Sequence, residues 1–394
     1  MKVVTGLDRL LAEKTIQDEV KGNITYLCHS ASITSNLEIG AGPLKKLYGK
    51  RLKSLMGPQH GLISDVQDNM VESGHYIHPY FNIPVHSLYS ETRIPTDKML
   101  EGIDTIIIDL QDVGTRIYTY ITTMKYTMEK CAKLGKRIVI LDRPNPIGGK
   151  QIEGNVLEDE FLSFVGASNI PVRHGMTIGE MALFFKEYHG IDCDLTVIPM
   201  NDWKREMYFC DTSLPWVLPS PNLPTPESAI TFAGTVLFEG TNISEGRGTT
   251  RSLEMIGHPK IEPFSFHTRV KKVMDDAGLE GFRLRPCIFT PTFQKHANTP
   301  CGGFQIHITD KNTFRPWKVC QMLLREIISE LGNDFELKKP PYEYEYDLLP
   351  INLINGSEEP LNWAVRGGTI LELELLEKLR ISEFMDSRDN ALLY

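Results

Sequence analysis

Two carboxylates and an arginine follow closely after a short apolar run near the middle of the chain. The run covers residues 106–108, and Asp109, Asp112 and Arg116 come after it. A run this short and uniformly apolar is typical of a strand buried on both faces of a parallel sheet. Ligands of open α/β sheets bind outside the carboxyl ends of the strands, so the segment predicts a binding site. We expect one carboxylate to orient Arg116 or a backbone amide, and the other to contact ligand hydroxyls.

A third carboxyl, Glu91, is predicted to follow another strand, at residues 83–89. A carboxyl that is partly removed from water at such a place has a raised pKa and can act as a general acid. The alternative is that Glu91 forms an ion pair with Arg93 or caps the helix expected to begin at Pro95. The residues alone leave both interpretations open.

Two histidines occupy segments in which a constrained backbone would aim the imidazole. His60 lies in a Gly-Pro-Gln-His-Gly turn, and His174 comes just before a predicted helix. Each is either a site residue or a hydrogen-bonded structural histidine. With Asp109 and Asp112 they could bind a metal ion, but no spacing such as His-x-x-x-His supports this. We therefore expect no metal.

The glycine patterns of the common nucleotide-binding folds are missing. The first predicted strand runs into CHSASITSN, which has no glycine, where a dinucleotide fold would carry GxGxxG. The glycine-rich segment GRGTT at 246–250 lacks the Gly-Lys-Ser/Thr of a phosphate-binding loop. The sequence therefore predicts that the sheet binds neither NAD nor ATP, and we expect no cofactor.

The densest polar stretch covers residues 238–248. Its carboxylates and amide, together with Arg247 as a bidentate partner, suit recognition of a carboxylated or hydroxyl-rich ligand. The alternative is a loop whose polar groups serve its own structure. The candidate ligand-binding residues in the second half of the chain are Asn222, Glu239, Asn242, Glu245 and Arg247. Acyl transfer is disfavoured because there is no GxSxG segment and no cysteine in a nucleophile setting.

The elements that position these residues alternate between strand and helix through the first half of the chain. Strands are predicted at 24–28, 52–56, 83–89, 106–110, 138–141 and 195–198. Helices are predicted at 43–48, at 97–101, after Arg116 as far as Gly135, and at 176–188 with a Thr177–Glu180 capping box. Right-handed crossovers would bring all the strand ends to one edge. This predicts an α/β fold with a Rossmann-like, mostly parallel sheet.

The second half mixes strands and helices in a smaller unit. Strands are predicted at 282–288 and 303–308, and helices at 264–277, 317–331 and 369–380. We predict a first domain at 1–205, a second, smaller α/β domain at 206–394, and an active-site cleft between them. Segment 201–226 is rich in proline and aromatic residues, which is typical of a functional loop or of a domain junction.

Composition excludes several classes of function. The chain of 394 residues carries a formal charge of −9 and has no cluster of lysine and arginine, which argues against nucleic-acid binding. Its 7 cysteines form no CxxC pair and are expected to be reduced. No apolar run approaches the ~18 residues of a membrane span. No signal peptide is visible, so we expect a cytoplasmic protein, or a periplasmic or secreted one if a signal was removed. The oligomeric state is left open.

Nine motifs, in order along the chain, resemble those of the bacterial YbbC-like (DUF1343) family, which includes exo-β-N-acetylmuramidases. They are GPQHG at 57–61, DNM at 68–70, ES at 72–73, SLYSETRIPT at 87–96, DLQDVGTRIYTY at 109–120, LDRPNPIGG at 141–149, RHGMTIGE at 173–180, PSPNLPT at 219–225 and FEGTNISEGRGT at 238–249. The resemblance spans nearly the whole chain. It implies two domains with the active site between them, and release of N-acetylmuramic acid from non-reducing ends of peptidoglycan fragments.

The resemblance implies that Glu91, in the YSETR segment, is the catalytic glutamate. Glycoside hydrolysis needs a carboxylic acid that protonates the leaving oxygen. We expect Glu91 as general acid/base, with His60, Asp112 and His174 positioning water or substrate. The remaining candidates for substrate binding are Asp109, Arg116, Arg143, Asn145 and Arg173, of which Arg116 and Arg143, like Arg247, suit the lactyl carboxylate of muramic acid. The alternatives are a non-catalytic carbohydrate-binding protein of the same fold and a metal-dependent hydrolase.

Overall fold

The computed structural model describes residues 2–64, 67 and 71–394. The DNM motif at 68–70 therefore lies outside the described residues. The strands within these ranges are β1 (Ile24–Cys28), β2 (Leu52–Gly57), β3 (Tyr76–Ile77), β4 (Pro84–Ser87), β5 (Thr105–Asp109), β6 (Arg137–Leu141), β7 (Glu153–Val156), β8 (Pro171–Arg173), β9 (Asp194–Ile198), β10 (Met255–His258), β11 (Phe282–Phe289) and β12 (Cys301–Ile308). All eight strands predicted from the sequence are present.

Seven strands form one sheet in the order β3-β4-β2-β1-β5-β6-β9. Neighbouring strands are parallel throughout, apart from the edge strand β3, which pairs antiparallel with β4. The strand order reverses between β1 and β5, so the connections leave these two strands in opposite directions. The mostly parallel sheet is confirmed, and with it the placing of the strand ends along one edge.

The central strands are buried on both faces, and alternate residues enter different apolar cores. In β5, Ile106 and Ile108 join one core while Ile107 joins the other. In β6, Ile138 and Ile140 likewise join the first core, while Val139 joins the other. This alternation follows from the two-residue period of a strand. It explains why the sequence is apolar at successive positions within these strands, at 106–108 in β5 and 138–141 in β6.

Twelve α-helices lie in the described ranges. They are α1 (Gly6–Ala12), α2 (Lys14–Gln17), α3 (Ala41–Tyr48), α4 (Tyr120–Leu134), α5 (Ile178–Tyr188), α6 (Pro226–Thr235), α7 (Pro263–Asp276), α8 (Pro316–Leu331), α9 (Pro350–Asn355), α10 (Glu359–Val365), α11 (Ile370–Lys378) and α12 (Ile381–Asp389). The predicted capping box of α5 is present, with Thr177 as N-cap and Glu180 returning the hydrogen bond. Gly135 ends α4 in the left-handed conformation, as expected. None of the helices in these ranges combines the length and the apolar character needed to cross a bilayer.

Two helix predictions differ from the structure. Residues 97–101 form only one 3-10 turn, Lys98–Leu100, because the backbone is already extended at Glu101, with ψ of 128°. Helix α4 begins at Tyr120 instead of directly after Arg116. The backbone N–H of Tyr118 bonds to the carbonyl of Thr115, so the polar loop after β5 closes as a turn before the helix starts.

The second half forms a smaller α/β unit around an antiparallel sheet of order β10-β12-β11. Its helices pack into the same apolar core as the sheet of the first half, since Trp317 and Trp363 share a cluster with Leu27 and Met124. The two units thus meet through a continuous apolar interior. The predicted class, α/β with a second smaller domain, is confirmed, while the division at 205/206 remains a prediction.

Candidate functional site

Two neighbouring cavities lie where the strand ends of the first half meet the loops of the second. The central cavity has a volume of ≈ 40 Å³, and its polar lining comes from Gln59, His60, Thr119, Ser220, Glu239, Arg247, Tyr342 and Glu343. The open pocket has a volume of ≈ 330 Å³ and is lined by residues that include Glu91, Arg93, Tyr126, Phe164 and Tyr344. Glu343 lines both. Both halves of the chain contribute to each cavity.

Glu91 lies in the loop after β4 and lines the open pocket. Its side chain is exposed and forms no hydrogen bond or ion pair with any residue that the structure describes. The Arg93 guanidinium lies 3.7 Å from the centre of the Tyr344 ring and donates to the Ser90 carbonyl at 3.4 Å. The ion pair between Glu91 and Arg93 that the sequence left open is therefore not formed.

Glu343 is a buried carboxyl between the two cavities. Its Oε1 accepts a hydrogen bond from Gln59 Nε2 at 2.9 Å, and its Oε2 accepts one from the Tyr89 hydroxyl at 2.7 Å. Burial raises the pKa of Glu343 to about 7, and the charge of Glu239 adds to this rise, while the two hydrogen bonds oppose it. A carboxyl with such a pKa is partly protonated near neutral pH.

The polar stretch of the second half forms a buried network of charges. Arg247 donates to Glu239 at 2.5 Å and to Glu245 at 3.1 Å, and Lys295 donates to Glu245 at 2.8 Å. Burial opposes the charge of Arg247, but Glu239 and Glu245 outweigh this effect and raise its pKa. The Tyr342 hydroxyl donates to Glu239 at 2.8 Å. Arg247 thus reaches the central cavity with its guanidinium already paired.

A third pocket, of ≈ 550 Å³, borders the central cavity at Glu239. Its lining includes Asn242, Glu245, Lys295 and Lys338. Asn242 connects two loops, because its side-chain nitrogen donates to the Asp334 carbonyl at 2.9 Å and its oxygen accepts from the Glu336 N–H at 3.1 Å. The structure therefore gathers six of the predicted site residues around three cavities that share lining residues: Glu91, His60, Glu239, Asn242, Glu245 and Arg247.

Asp109 and Arg143 form an ion pair beneath the edge of the sheet. Arg143 Nε lies 2.5 Å from Asp109 Oδ1, and the Tyr26 hydroxyl donates to Asp109 Oδ2 at 2.5 Å. Both charged side chains are almost fully buried, and Arg143 also donates to the Ile33 carbonyl at 2.9 Å. This pair fixes the end of β5 relative to the loop after β6. It lies outside the linings of the central cavity and the open pocket.

Asp112 and His174 are close together in the interior. Asp112 Oδ2 accepts from the Gly114 N–H at 2.7 Å and lies 3.7 Å from His174 Nε2. His174 Nδ1 accepts from the Met176 N–H at 3.2 Å, which corresponds to the structural alternative that the sequence left open. Neither residue lines the central cavity or the open pocket.

Arg116 was predicted to bind a substrate carboxylate, and its surroundings do not favour that role. The side chain is fully buried and donates to the carbonyls of Asn155, Ile170, Ile354 and Asn355 at 2.8–3.0 Å. Burial lowers its pKa to about 9. The guanidinium therefore joins the loop after β5 to the C-terminal helices.

Three further candidates hold local structure in place. Asn145 donates to the Met176 carbonyl at 2.9 Å, and Asn222 donates to the Gln67 carbonyl at 2.6 Å. Arg173 donates to Gln151 Oε1 at 2.7 Å and to the Ile147 carbonyl. All three side chains are buried. Their partners are protein groups, and none of the three lines the central cavity or the open pocket.

The four residues considered for a metal do not come together. His60 lines the central cavity, whereas Asp109 is paired with Arg143. His174 and Asp112 lie together in the interior. Throughout residues 2–64, 67 and 71–394, no three or more histidine, cysteine or carboxylate side chains are grouped as metal ligands.

Comparison with known families decides the identity of the fold. Residues 24–227 match the model of the N-terminal part of the exo-β-N-acetylmuramidase NamZ, and residues 230–394 match that of its C-terminal part. The chain belongs to the NamZ family. The resemblance seen in the ordered motifs is thereby confirmed, and the NamZ family is a family of glycosidases.

Similar proteins support this NamZ assignment. A relative from Bacillus subtilis (strain 168), described as a peptidoglycan β-N-acetylmuramidase NamZ, is 45% identical over 336 residues, which cover 85% of this chain and 80% of the relative. A crystal structure of a DUF1343 family protein from Bacteroides fragilis NCTC 9343 has a TM-score of 0.88 at 28% identity, with 100% of this chain and 99% of that chain covered. A second one from the same organism, at 24% identity with the same coverage, has a TM-score of 0.73 and supports the fold alone.

Sequence reasoning missed the residues that surround Glu343 in this NamZ fold. Gln59 and Tyr89 lie within motifs already identified, next to the candidates His60 and Glu91, but they were not assigned a role. Tyr342 and Glu343 lie in the segment PPYEYEYD at 340–347, whose two-residue alternation is typical of a strand, although the structure forms no strand there. The alternation of tyrosine with acidic residues directly after two prolines was the available signal.

Proposed function

We propose that this chain is an exo-acting glycosidase that releases N-acetylmuramic acid from the non-reducing ends of peptidoglycan fragments. Glu91 acts as general acid/base at the glycosidic bond, and no cofactor takes part. Membership of the NamZ family supports the type of reaction, and the Bacillus subtilis relative supports a muramoyl saccharide as substrate.

The position of Glu91 carries this proposal. An exposed carboxyl without a partner among the residues that the structure describes, in a pocket built from both halves of the chain, is available to a bound sugar. Hydrolysis of a glycoside uses such a group to transfer a proton to or from the reacting oxygen. Of the three arginines predicted to bind the lactyl carboxylate of muramic acid, Arg247 is the one that lines the central cavity, where it also pairs with Glu239 and Glu245. A β-N-acetylglucosaminide, which lacks the lactyl group, is therefore expected to be a poorer substrate.

The test is incubation with the disaccharide N-acetylmuramoyl-β-1,4-N-acetylglucosamine, followed by chromatography of the products. We expect two monosaccharides from the wild-type protein and a loss of about 10²–10⁴-fold in turnover for Glu91→Gln. Glu101→Gln, which changes an exposed glutamate outside both cavities, is the control and should retain activity.

Two other outcomes would replace the proposal. Binding of the disaccharide without release of monosaccharides would indicate a carbohydrate-binding protein of the same fold. Loss of turnover on addition of a chelator, with recovery on addition of a divalent metal, would indicate a metal-dependent hydrolase. Full turnover by Glu91→Gln would remove Glu91 from the mechanism while leaving the activity itself in place.

A further inference from the structure

We infer that Glu343 is a second catalytic carboxyl of this site and the donor of the proton to the leaving group. The inference rests on the proposed glycosidase function and places the general acid in the C-terminal half of the chain. Glu91 then acts as the general base. The inference is based on the geometry of the turn that carries Glu343, on the two hydrogen bonds that hold its carboxyl, and on the position of this carboxyl between the cavities.

The turn that carries Glu343 has a backbone conformation that its residues do not favour. Tyr342 and Glu345 close it through two backbone hydrogen bonds of 2.9 Å each. Between them, Glu343 and Tyr344 have φ angles of 46° and 70°. Tight turns with two successive positive φ angles prefer Asn-Gly, because most side chains are strained there. The presence of glutamate and tyrosine at these strained positions points to a use for their side chains.

The first half of the chain holds the Glu343 carboxyl in one orientation. Gln59, from the turn after β2, donates to one oxygen, and Tyr89, two residues before Glu91, donates to the other. The Thr119 hydroxyl fixes the Gln59 amide by donating to its oxygen at 2.6 Å. A carboxyl oxygen can accept more than one hydrogen bond, so a proton still fits on Glu343 beside these two donors.

Glu343 and Glu91 line the same open pocket but differ in environment. Glu343 is almost fully buried, whereas Glu91 is exposed to water. Burial favours the neutral, protonated form of a carboxyl, and exposure favours the charged form. Two carboxyls whose environments differ in this way correspond to the acid and base of a glycosidase.

Burial has the largest effect on the pKa of Glu343, and the charges around it have smaller, opposing effects. Three carboxylates (Glu91, Glu239 and Glu345) and three cations (Arg93, Arg247 and Lys338) lie around it, together with His60 and the tyrosines Tyr89, Tyr342 and Tyr344. Glu239 raises the pKa of Glu343 and Lys338 lowers it. The pKa is about 7, so the protonated form is lost as the pH rises through neutrality.

The step is a proton transfer coupled to cleavage of the glycosidic bond. The O–H bond of Glu343 breaks and its proton moves to the bridging oxygen. The bond between the anomeric carbon and that oxygen then breaks, and its electron pair stays on the oxygen. Water adds to the anomeric carbon and gives its proton to Glu91. One water molecule is consumed, and exchange with solvent restores both carboxyls.

Dependence on the leaving group tests this assignment. The wild-type protein and Glu343→Gln are compared on the muramoyl-glucosamine disaccharide and on 4-nitrophenyl β-N-acetylmuramide, whose leaving group needs little protonation. We expect Glu343→Gln to lose about 10²–10⁴-fold in kcat/KM on the disaccharide and much less on the nitrophenyl substrate. Glu91→Gln should lose activity on both substrates.

The pH profile gives a second readout that a structural role would not change. On the disaccharide, kcat/KM of the wild-type protein should fall as the pH rises above about 7, because Glu343 must be protonated. This alkaline limb should be missing in Glu343→Gln, and thermal unfolding of the variant checks that it is folded.

An equal loss on both substrates, or no loss, would overturn the assignment of Glu343 as proton donor. If the wild-type protein cleaves neither substrate, the proposed function itself fails. The two failures are therefore distinguishable.

Discussion

An arginine in a polar motif can bind a ligand or stabilise the protein itself, and the three arginines predicted to bind a carboxylate differ in where they lie. Arg247 lines the central cavity, whereas Arg143 neutralises the buried Asp109. Arg116 has carbonyl partners on both halves of the chain and is fully buried. A sequence motif shows that an arginine is present, but it does not show whether the guanidinium binds a ligand, a carboxylate of the protein or backbone carbonyls.

Replacement of Arg116 by methionine distinguishes the two roles. We expect the free energy of unfolding to fall by on the order of 3 kcal/mol, because four buried carbonyl groups lose their donor. KM for the disaccharide should stay unchanged in the folded protein. Urea unfolding and steady-state kinetics measure both quantities.

The control is Arg51→Met, since Arg51 donates to the Val20 and Gly22 carbonyls in a partly exposed place and its loss should cost much less. A raised KM with unchanged stability for Arg116→Met would restore the role predicted from the sequence, that of a substrate clamp.

At the scale of elements, the ends of strands and helices position the site. The loop after β5 ends at α4, and this helix stops at Gly135, whose φ is 61°. The second half contributes its key residues from loops and turns, above all the turn between Tyr342 and Glu345. Loops carry functional groups because regular elements hold their ends in place.

Replacement of Gly135 by alanine tests the helix end by itself. No atom lies within 4 Å of a Cβ added at this position, so the effect is confined to the backbone. We expect a loss of about 1 kcal/mol in the free energy of unfolding, since alanine is strained at positive φ. Gly135→Asn should lose less, because asparagine tolerates this conformation better. Urea unfolding of both variants measures the difference; equal stability of Gly135→Ala and wild type would contradict the expectation.

At the scale of the whole molecule, the C-terminal segment returns to the first sheet. The Tyr394 hydroxyl donates to Asp142 Oδ2 at 2.7 Å and accepts from the Met200 N–H at 2.6 Å. Arg388 donates to the Gly149 carbonyl at 2.7 Å. Contacts of this kind, together with the shared apolar core, join the two halves, so we expect them to unfold together.

Tyr394→Phe tests this connection. The change removes one hydroxyl that serves two buried or partly buried groups, and we expect the free energy of unfolding to fall by about 1–3 kcal/mol. Unfolding followed by tryptophan fluorescence and by circular dichroism should give one coincident transition. Tyr80→Phe, at an exposed tyrosine, is the control and should leave stability unchanged. Two separate transitions in the wild-type protein would contradict the expected cooperativity.

The sequence by itself determined six of the seven strands of the large sheet, all except the edge strand β3, and the identity of the family. Strands β5 and β6 carry runs of successive apolar residues because both faces are buried, and that pattern is local. The capping box of α5 and the glycine end of α4 are also local signals, so both were predictable. The ordered motifs carried the family resemblance along the whole chain.

Only the tertiary structure decided which polar residues face the cavities. Gln59 and Glu343 are 284 positions apart, and Arg116 and Asn355 are 239 apart, yet each pair is hydrogen-bonded. No local pattern encodes such partners, because they depend on how the two halves pack against each other. Asp109 ends β5 and Glu91 follows β4 in the same sheet, but packing buries the first against Arg143 and leaves the second exposed to solvent.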